Sequence, residues 1–191
     1  MSKGDLNALL RKIFRDMEVE FTDEFDRNFE RQSFFGEAWK RRRSPVKDRG
    51  RGLLIDSGGL RGSLRTKISR TGITFIYDKD YASIHNEGGE IRVTKRMKRF
   101  FWAKYYSTSG SFSRRKDGSL RRDQRNSRLT TEADFWRMMA LKPEGSVIRI
   151  PRRQFIGNHP EIEKSAREII IENTDAFLRD NFGDIKIDIR L

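Results

Sequence analysis

The residues that could do chemistry in this chain are few and scattered. His85 stands in DYASIHNEGG (Asp80–Gly89), and one histidine with no second ligand at metal spacing is not a metal site. It reads as a satisfied turn histidine rather than a proton-transfer group. Gly58-Gly59 lies beside arginines and could cradle a phosphate, but the run lacks the Walker pattern and its lysine. Asp184-Ile185-Lys186 is a nuclease-like fragment without a second acid on a neighbouring strand. There is no H-E-x-x-H, no G-x-S-x-G and no Cys/His metal spacing. The chain has no cysteine, which excludes disulfides and thiolate chemistry. The expectation is a protein that is not an enzyme and holds no metal or cofactor.

What the chain carries in quantity is positive charge. Its formal net charge is +13, unevenly distributed. From Arg92 to Arg128, 13 Lys/Arg stand against Asp117 and Asp123, a net +11; from Lys40 to Arg51, 7 stand against Asp48, a net +6. The remainder is a near-neutral body at net −4. Two basic segments on such a body point to an anionic partner, nucleic acid or an acidic protein surface; the plain alternative is a solvated loop kept soluble by charge. Candidate contacts to DNA or an acidic surface are Arg96, Lys98, Arg99, Arg114, Arg115, Lys116, Arg121 and Arg122. In IRVTKRMKRFFWAKYY the cations interleave with Phe100, Phe101, Trp102, Tyr105 and Tyr106. Such a mixture can bind single strands by charge and stacking. It equally suits a strand-to-helix segment that anchors on the core or docks on a neighbour, which is the preferred reading. STSGSFSRRKDGSLRRDQRNSR has almost no apolar residue and is expected to be mobile in the isolated protein. A short helix then follows, capped by Thr130 or Thr131, carrying Phe135, Trp136, Met138, Met139 and Leu141, and ended by Pro143 and Gly145.

Periodicity assigns the elements that must position these segments. Leu6, Leu9/Leu10, Ile13/Phe14, Met17, Phe21, Phe25 and Phe29 step by three or four, predicting a helix from Leu6 to about Arg31. Its phenylalanine ladder needs a partner surface: a sheet in the same core or, alternatively, a subunit. Leu64–Ile68 and Ile73–Tyr77 read as strands joined by a turn at Arg70–Gly72. Val147, Ile148 and Ile150 predict another strand, stopped by Pro151, which has no N–H for a ladder. A helix starts at Pro160 with Asn158 or His159 as its cap, Glu161 and Glu163 in its first turn, and Ile162, Ala166, Ile169, Ile170, Phe177 and Leu178 on one apolar face. Gly183 stops it. Ile185, Ile187 and Ile189 alternate with charged residues as a final edge strand, open to pairing with a neighbouring subunit. Only 35% of residues are hydrophobic and 36% charged, a thin core for this length that predicts long solvated segments or surface buried only on assembly. No apolar run reaches the roughly 18 residues of a membrane span, and no signal peptide is expected before the first helix.

Four blocks stand in a fixed order: the post-helix aromatics Phe34, Phe35 and Trp39; LLIDSGGLRGSL (Leu53–Leu64); YASIHNEGG (Tyr81–Gly89); and IPRRQFIG (Ile150–Gly157) before its helix. Together they resemble the phage virion morphogenesis family of tail-completion proteins. VTKRMKRFFWAKY and FWRMMAL are similar to segments of a branch of that family that carries an insertion. The resemblance implies an α+β fold: a small antiparallel sheet packed with a long N-terminal helix and a C-terminal helix, with a long basic insertion. It implies one domain over 1–191, with the basic-aromatic arm at 91–141 inside it. The implied role is a structural virion protein that completes the tail or joins it to the head. It would form a homo-oligomeric ring, expected to be hexameric, around the DNA path, meeting tail tube or connector proteins and touching DNA nonspecifically in the lumen. It would reside in the virion, and in the host cytoplasm during assembly, with no membrane partner. Expected subunit or partner contacts are Arg152, Arg153, Phe155, Ile156, Phe100, Phe101, Trp102, Tyr105, Ile187 and Ile189, with Phe155/Ile156 also the plug that seats the sheet. The competing reading is a nucleic-acid-binding protein using segments 40–51 and 92–128.

Overall fold

The computed structural model describes residues 3–42, 44–45 and 52–183. In chain order these form α1 (Lys3–Arg31), β1 (Ser33–Phe34), β2 (Glu37–Ala38), a 3-10 turn (Arg61–Ser63), β3 (Leu64–Ile68), β4 (Ile73–Tyr77), α2 (Ala82–Glu87), β5 (Gly89–Arg92), α3 (Lys95–Gly110), α4 (Gln124–Leu141), β6 (Val147–Ile150) and α5 (Pro160–Phe182). The α+β class expected from the sequence is the one found. The strands pair as three antiparallel two-stranded ladders, β1–β2, β3–β4 and β5–β6. The chain divides into two compact units: one from the described residues of Met1–Trp39, Leu54–Ala82 and Gln154–Leu191, the other from those of Lys40–Leu53 and Ser83–Arg153. The segment 91–141 lies wholly within the second. Ile185, Ile187 and Ile189, the anticipated final strand, lie outside the described residues.

In the first unit, α1 buries Ile13, Met17, Phe21 and Phe25 at every fourth position, and Phe29 continues the stripe. This is the apolar face that a 3.6-residue period generates. Against it pack Leu64, Ile73 and Phe75 of the β3–β4 hairpin and Ile162, Ala166 and Ile169 of α5. Phe75 meets Phe21 and Phe25 edge-on, with ring centroids 6.2 and 5.4 Å apart. The hairpin register runs from Leu64↔Tyr77 to Ile68↔Ile73, closed by Ser69 N–H donating to Gly72 O at 2.9 Å. Ile73, Phe75 and Tyr77 therefore share the inner face. α5 runs back along α1, its buried Asn173 donating to Asp16 (2.9 Å) and accepting from Lys12. His159 is its cap: Nδ1 accepts from Glu161 N–H at 3.2 Å, and Pro160 takes the first helical position. One expectation is corrected here. Ile170 and Leu178 do not join the core-facing side of α5; both are exposed.

The second unit is built on β5–β6, paired from Gly89↔Ile150 to Arg92↔Val147, and on an antiparallel pair of helices. Val93 is almost wholly buried, and its N–H and C=O bond Ser146 and Gly145 at 2.8 and 2.9 Å. Thr94 caps α3 by accepting from Met97 N–H at 3.2 Å. Phe101 stacks on Trp136 with centroids 6.1 Å apart, and the small Ala133 and Ala140 are buried on α4. The anticipated helix after Thr130 or Thr131 starts earlier, at Gln124. Its cap is Asp123, which accepts from Asn126 N–H at 2.7 Å. Thr130 and Thr131 sit inside the helix and donate to the carbonyls of Asn126 and Ser127. The stretch expected to lack structure instead continues α3 to Gly110, makes an Arg114↔Leu120 bridge and begins α4. Polar ties described below, rather than apolar burial, give it this form.

Candidate functional site

The segment Ile150–Gly157 crosses the division between the units, and its residues do internal work in each. In the first, Phe155 is 0% exposed. Its ring lies 5.2 Å from Phe29 and 4.8 Å from Tyr77, and Phe29 in turn meets Trp39 at 5.6 Å. The backbone on either side is held too. Trp39 Nε1 donates to Gln154 O at 2.6 Å, and the fully buried Asn28 donates to Phe155 O at 3.2 Å. The post-helix aromatics complete the seat: Phe35 stacks face to face on the His159 ring at 4.2 Å, and Phe34 meets that ring edge-on. Phe155 is thus the anticipated plug. As a subunit contact it is corrected, because its side chain has no outward surface. Ile156 packs partly buried against the α1 stripe.

In the second unit, Arg153 is buried, with N–H donating to His85 O and Nε to Lys40 O, both at 2.9 Å. It ties the chain internally, so the expectation of an outward contact is corrected for it as well, whereas Arg152 is exposed. Burial and the neighbouring Arg42 push the Arg153 guanidinium down, though it stays charged at neutral pH. His85 is pushed down from the usual histidine value by burial first and by Arg153 second. The unfolded chain then takes up a proton at His85 at a pH where the folded chain does not. Stability from neutral His85 is complete above about pH 6.5 and is lost as pH falls through the lowered pKa. The wild-type Tm, followed by circular dichroism from pH 7 to 5, should therefore fall further than that of His85→Gln. Parallel curves would remove His85 as the cause.

Beside the glycine turn, Arg61 is engaged by acids: Nε donates to Asp26 at 2.5 Å and Nη2 to Glu30 at 2.6 Å, with a second contact to Asp26. These pairs fix the turn to α1.

The outward features gather on the α3–α4 hairpin. Its run of aromatics splits, because adjacent helical residues point about 100° apart. Phe101 is buried against Trp136, which corrects the expectation of an outward contact for it, while Phe100 is half exposed with Lys104 Nζ 5.5 Å above its ring, and Trp102 makes a surface cluster with Tyr105 and Tyr106. Arg96, Arg99, Arg114, Arg115, Lys116, Arg121 and Arg122 are exposed, while Lys98 is half-buried and donates to Lys142 O at 2.7 Å, closing the hairpin base. At the other end Asn126, which sequence reasoning missed, is 4% exposed. Its Oδ1 accepts from Ser113 N–H at 2.9 Å, and its Nδ2 donates to Ser113 O and Arg121 O at 2.8 and 2.7 Å. The signal available was Asp123 three residues ahead, a helix-cap residue in a stretch otherwise read as featureless.

Among the described residues no group of three or more His, Cys, Asp or Glu could hold a metal ion, and no helix is long and apolar enough to cross a membrane. Comparison with curated proteins and with solved structures finds no match. The phage virion morphogenesis family does match, over residues 2–175, so both compact units are included, and the chain belongs to that family.

Proposed function

We propose that this phage morphogenesis protein completes the tail, or joins it to the head, by assembling as a homo-oligomeric ring around the DNA path. Family membership supports a structural role in building the virion, and a non-enzymatic one. The observation that carries self-assembly is a second apolar stripe on α5. At 100° per residue, Ile162, Ala166, Ile169 and Asn173 fall on the side packed against α1, while Ile171, Leu178 and Phe182 fall on the opposite side. These three are 59%, 37% and 57% exposed. A helix that shows three large apolar side chains outward, among Lys164, Arg167 and Asp175, has apolar surface left to bury besides the face in its own core. The occupant proposed for it is another copy of this chain. Phe100, Trp102, Tyr105 and Arg152 supply accessible surface for tail tube or connector proteins. Assembly would take place in the host cytoplasm, and hexameric symmetry is the expectation.

Mass by light scattering with negative-stain imaging, across protein concentration and at low and high salt, tests this. Rings of one mass that survive salt support apolar assembly. The variant Ile171→Glu/Leu178→Glu should reduce the particle to a folded monomer with unchanged helical circular dichroism. A wild-type monomer at every concentration would sink self-assembly, and an undisturbed ring in the variant would remove α5 from the interface.

A further inference from the structure

We infer that the tip of the α3–α4 hairpin is a binding site for the phosphodiester backbone of duplex DNA, recognised without regard to base sequence. This goes beyond ring formation and does not depend on it.

The first ground is uncompensated charge. Arg114, Arg115, Lys116, Arg121, Arg122, Arg125 and Arg128 fall within fifteen residues whose only acids are Asp117 and Asp123. Both acids are engaged in holding backbone. Asp117 accepts from the Ser119 N–H and hydroxyl at 2.9 and 2.7 Å, and Asp123 caps α4. Among the described residues none of these seven cations is in an ion pair, a state they share with Arg15, Lys67 and Arg70, so it is their density that sets the tip apart.

The second ground is that the cations stand on a built frame. Arg115 N–H donates to Ser119 O at 2.7 Å, Arg121 N–H to Ser113 O at 2.9 Å, and buried Asn126 clamps Ser113 to Arg121. A solvated charge run needs no such organisation. A charged site that binds without first ordering its loop does, because preorganisation removes an entropic cost from binding.

The third ground is shape and composition. Between the turn and the start of α4 lies an open hollow of about 1110 Å³ whose cationic lining is Arg115, Arg121 and Arg122. Ser119, Ser127 and Thr130 add hydroxyls, and Leu120 is its one apolar side chain. A protein interface would be expected to centre on apolar or aromatic anchors, and single-stranded nucleic acid would call for stacking platforms. No aromatic ring lines this hollow, and Leu120 stands alone among polar and charged side chains that include Asp123. Guanidinium groups match phosphate oxygens in bidentate fashion, so the chemistry left is that of a stacked duplex presenting only its backbone.

The test is a fluorescence-anisotropy titration of the full-length protein with two 30-base-pair duplexes of unrelated sequence, at several salt concentrations. The variant Arg115→Gln/Arg121→Gln/Arg122→Gln is compared with a control of equal charge loss, Arg15→Gln/Lys67→Gln/Arg70→Gln, on exposed positions of the first unit. Mass and circular dichroism are checked for each. The expected result is equal affinity for both duplexes and a steep salt dependence. The tip variant should bind roughly tenfold or more weakly and flatten the logarithmic salt slope by about three, at about one unit per lost phosphate contact. Equal losses in both variants would reduce the effect to net charge and overturn the site. So would absence of binding at low salt. Tight binding of polyglutamate with no DNA affinity would assign the tip to an acidic protein surface and overturn it as well.

Discussion

Phe155→Ala will destabilise the first unit by about 3–5 kcal/mol, the range for truncating a fully buried phenylalanine. The ring is 0% exposed, and the groups around it cannot close a cavity easily. Phe29 is itself at 0% exposure between Phe155 and Trp39, and the backbone at Gln154 and Phe155 is pinned by Trp39 and Asn28. A void there forfeits dispersion contacts as well as the transfer energy of the lost atoms. Phe182→Ala removes the same ring from an exposed position on α5 and should change stability by less than about 0.5 kcal/mol. Urea denaturation of the two variants, followed by circular dichroism at a protein concentration where wild type is monomeric, makes the comparison. A Phe155→Ala protein of wild-type stability would mean that this ring faces a partner after all.

The contrast explains which parts of the fold were legible in the sequence. α1 and the β3–β4 hairpin announce themselves through apolar spacing, because each has one wet and one dry side; α5 does so only in part, since Ile170 and Leu178 fit the apolar spacing and yet are exposed. The ends of α5 are equally plain: Pro160 and Gly183 have backbone preferences that act locally. The position of Phe155 after the strand stop marks it as a plug, but nothing marks Arg153 beside it as buried. Its burial depends on the carbonyls of His85 and Lys40 arriving from distant chain, and nothing in its own neighbours encodes that. The hairpin is legible only in part. The apolar residues in the second half of α4 announce a helix, and Phe101 stacks on Trp136, but its tip rests on the polar Asn126 and its close packing on the small Ala133 and Ala140, and its adjacent aromatics diverge in space. β5 opens with glycine and shows no alternation, so only its partner β6 was foreseen. Of the candidate site, the charge was readable and the frame that displays it was not.

Gly88→Ala should cost the second unit about 2–5 kcal/mol, and the comparison that isolates the cause is Gly145→Ala in the same unit. Both glycines have left-handed backbones, with φ of +76° and +79°. For an L residue that conformation costs about 1–2 kcal/mol. At Gly145 a Cβ would meet nothing within 4 Å, so the conformational cost should be the whole effect. At Gly88 it would lie 2.8 Å from Arg152 N, 3.1 Å from Arg152 Cα and 3.1 Å from Ile150 O. All three are backbone atoms that cannot rotate aside, so the chain leaving β6 must shift, a strain on the order of another 1–3 kcal/mol. The displaced residues adjoin Arg153, whose N–H holds His85 O at the end of α2. Amide hydrogen exchange should therefore show lost protection at Arg153 and along the β5–β6 ladder in Gly88→Ala and not in Gly145→Ala. Equal urea midpoints for the two variants would mean that close approach is not why glycine stands at position 88. A larger loss at Gly88 would mean that two of the sequence blocks, YASIHNEGG and IPRRQFIG, are coupled by backbone contact, with a missing side chain as the condition for their meeting.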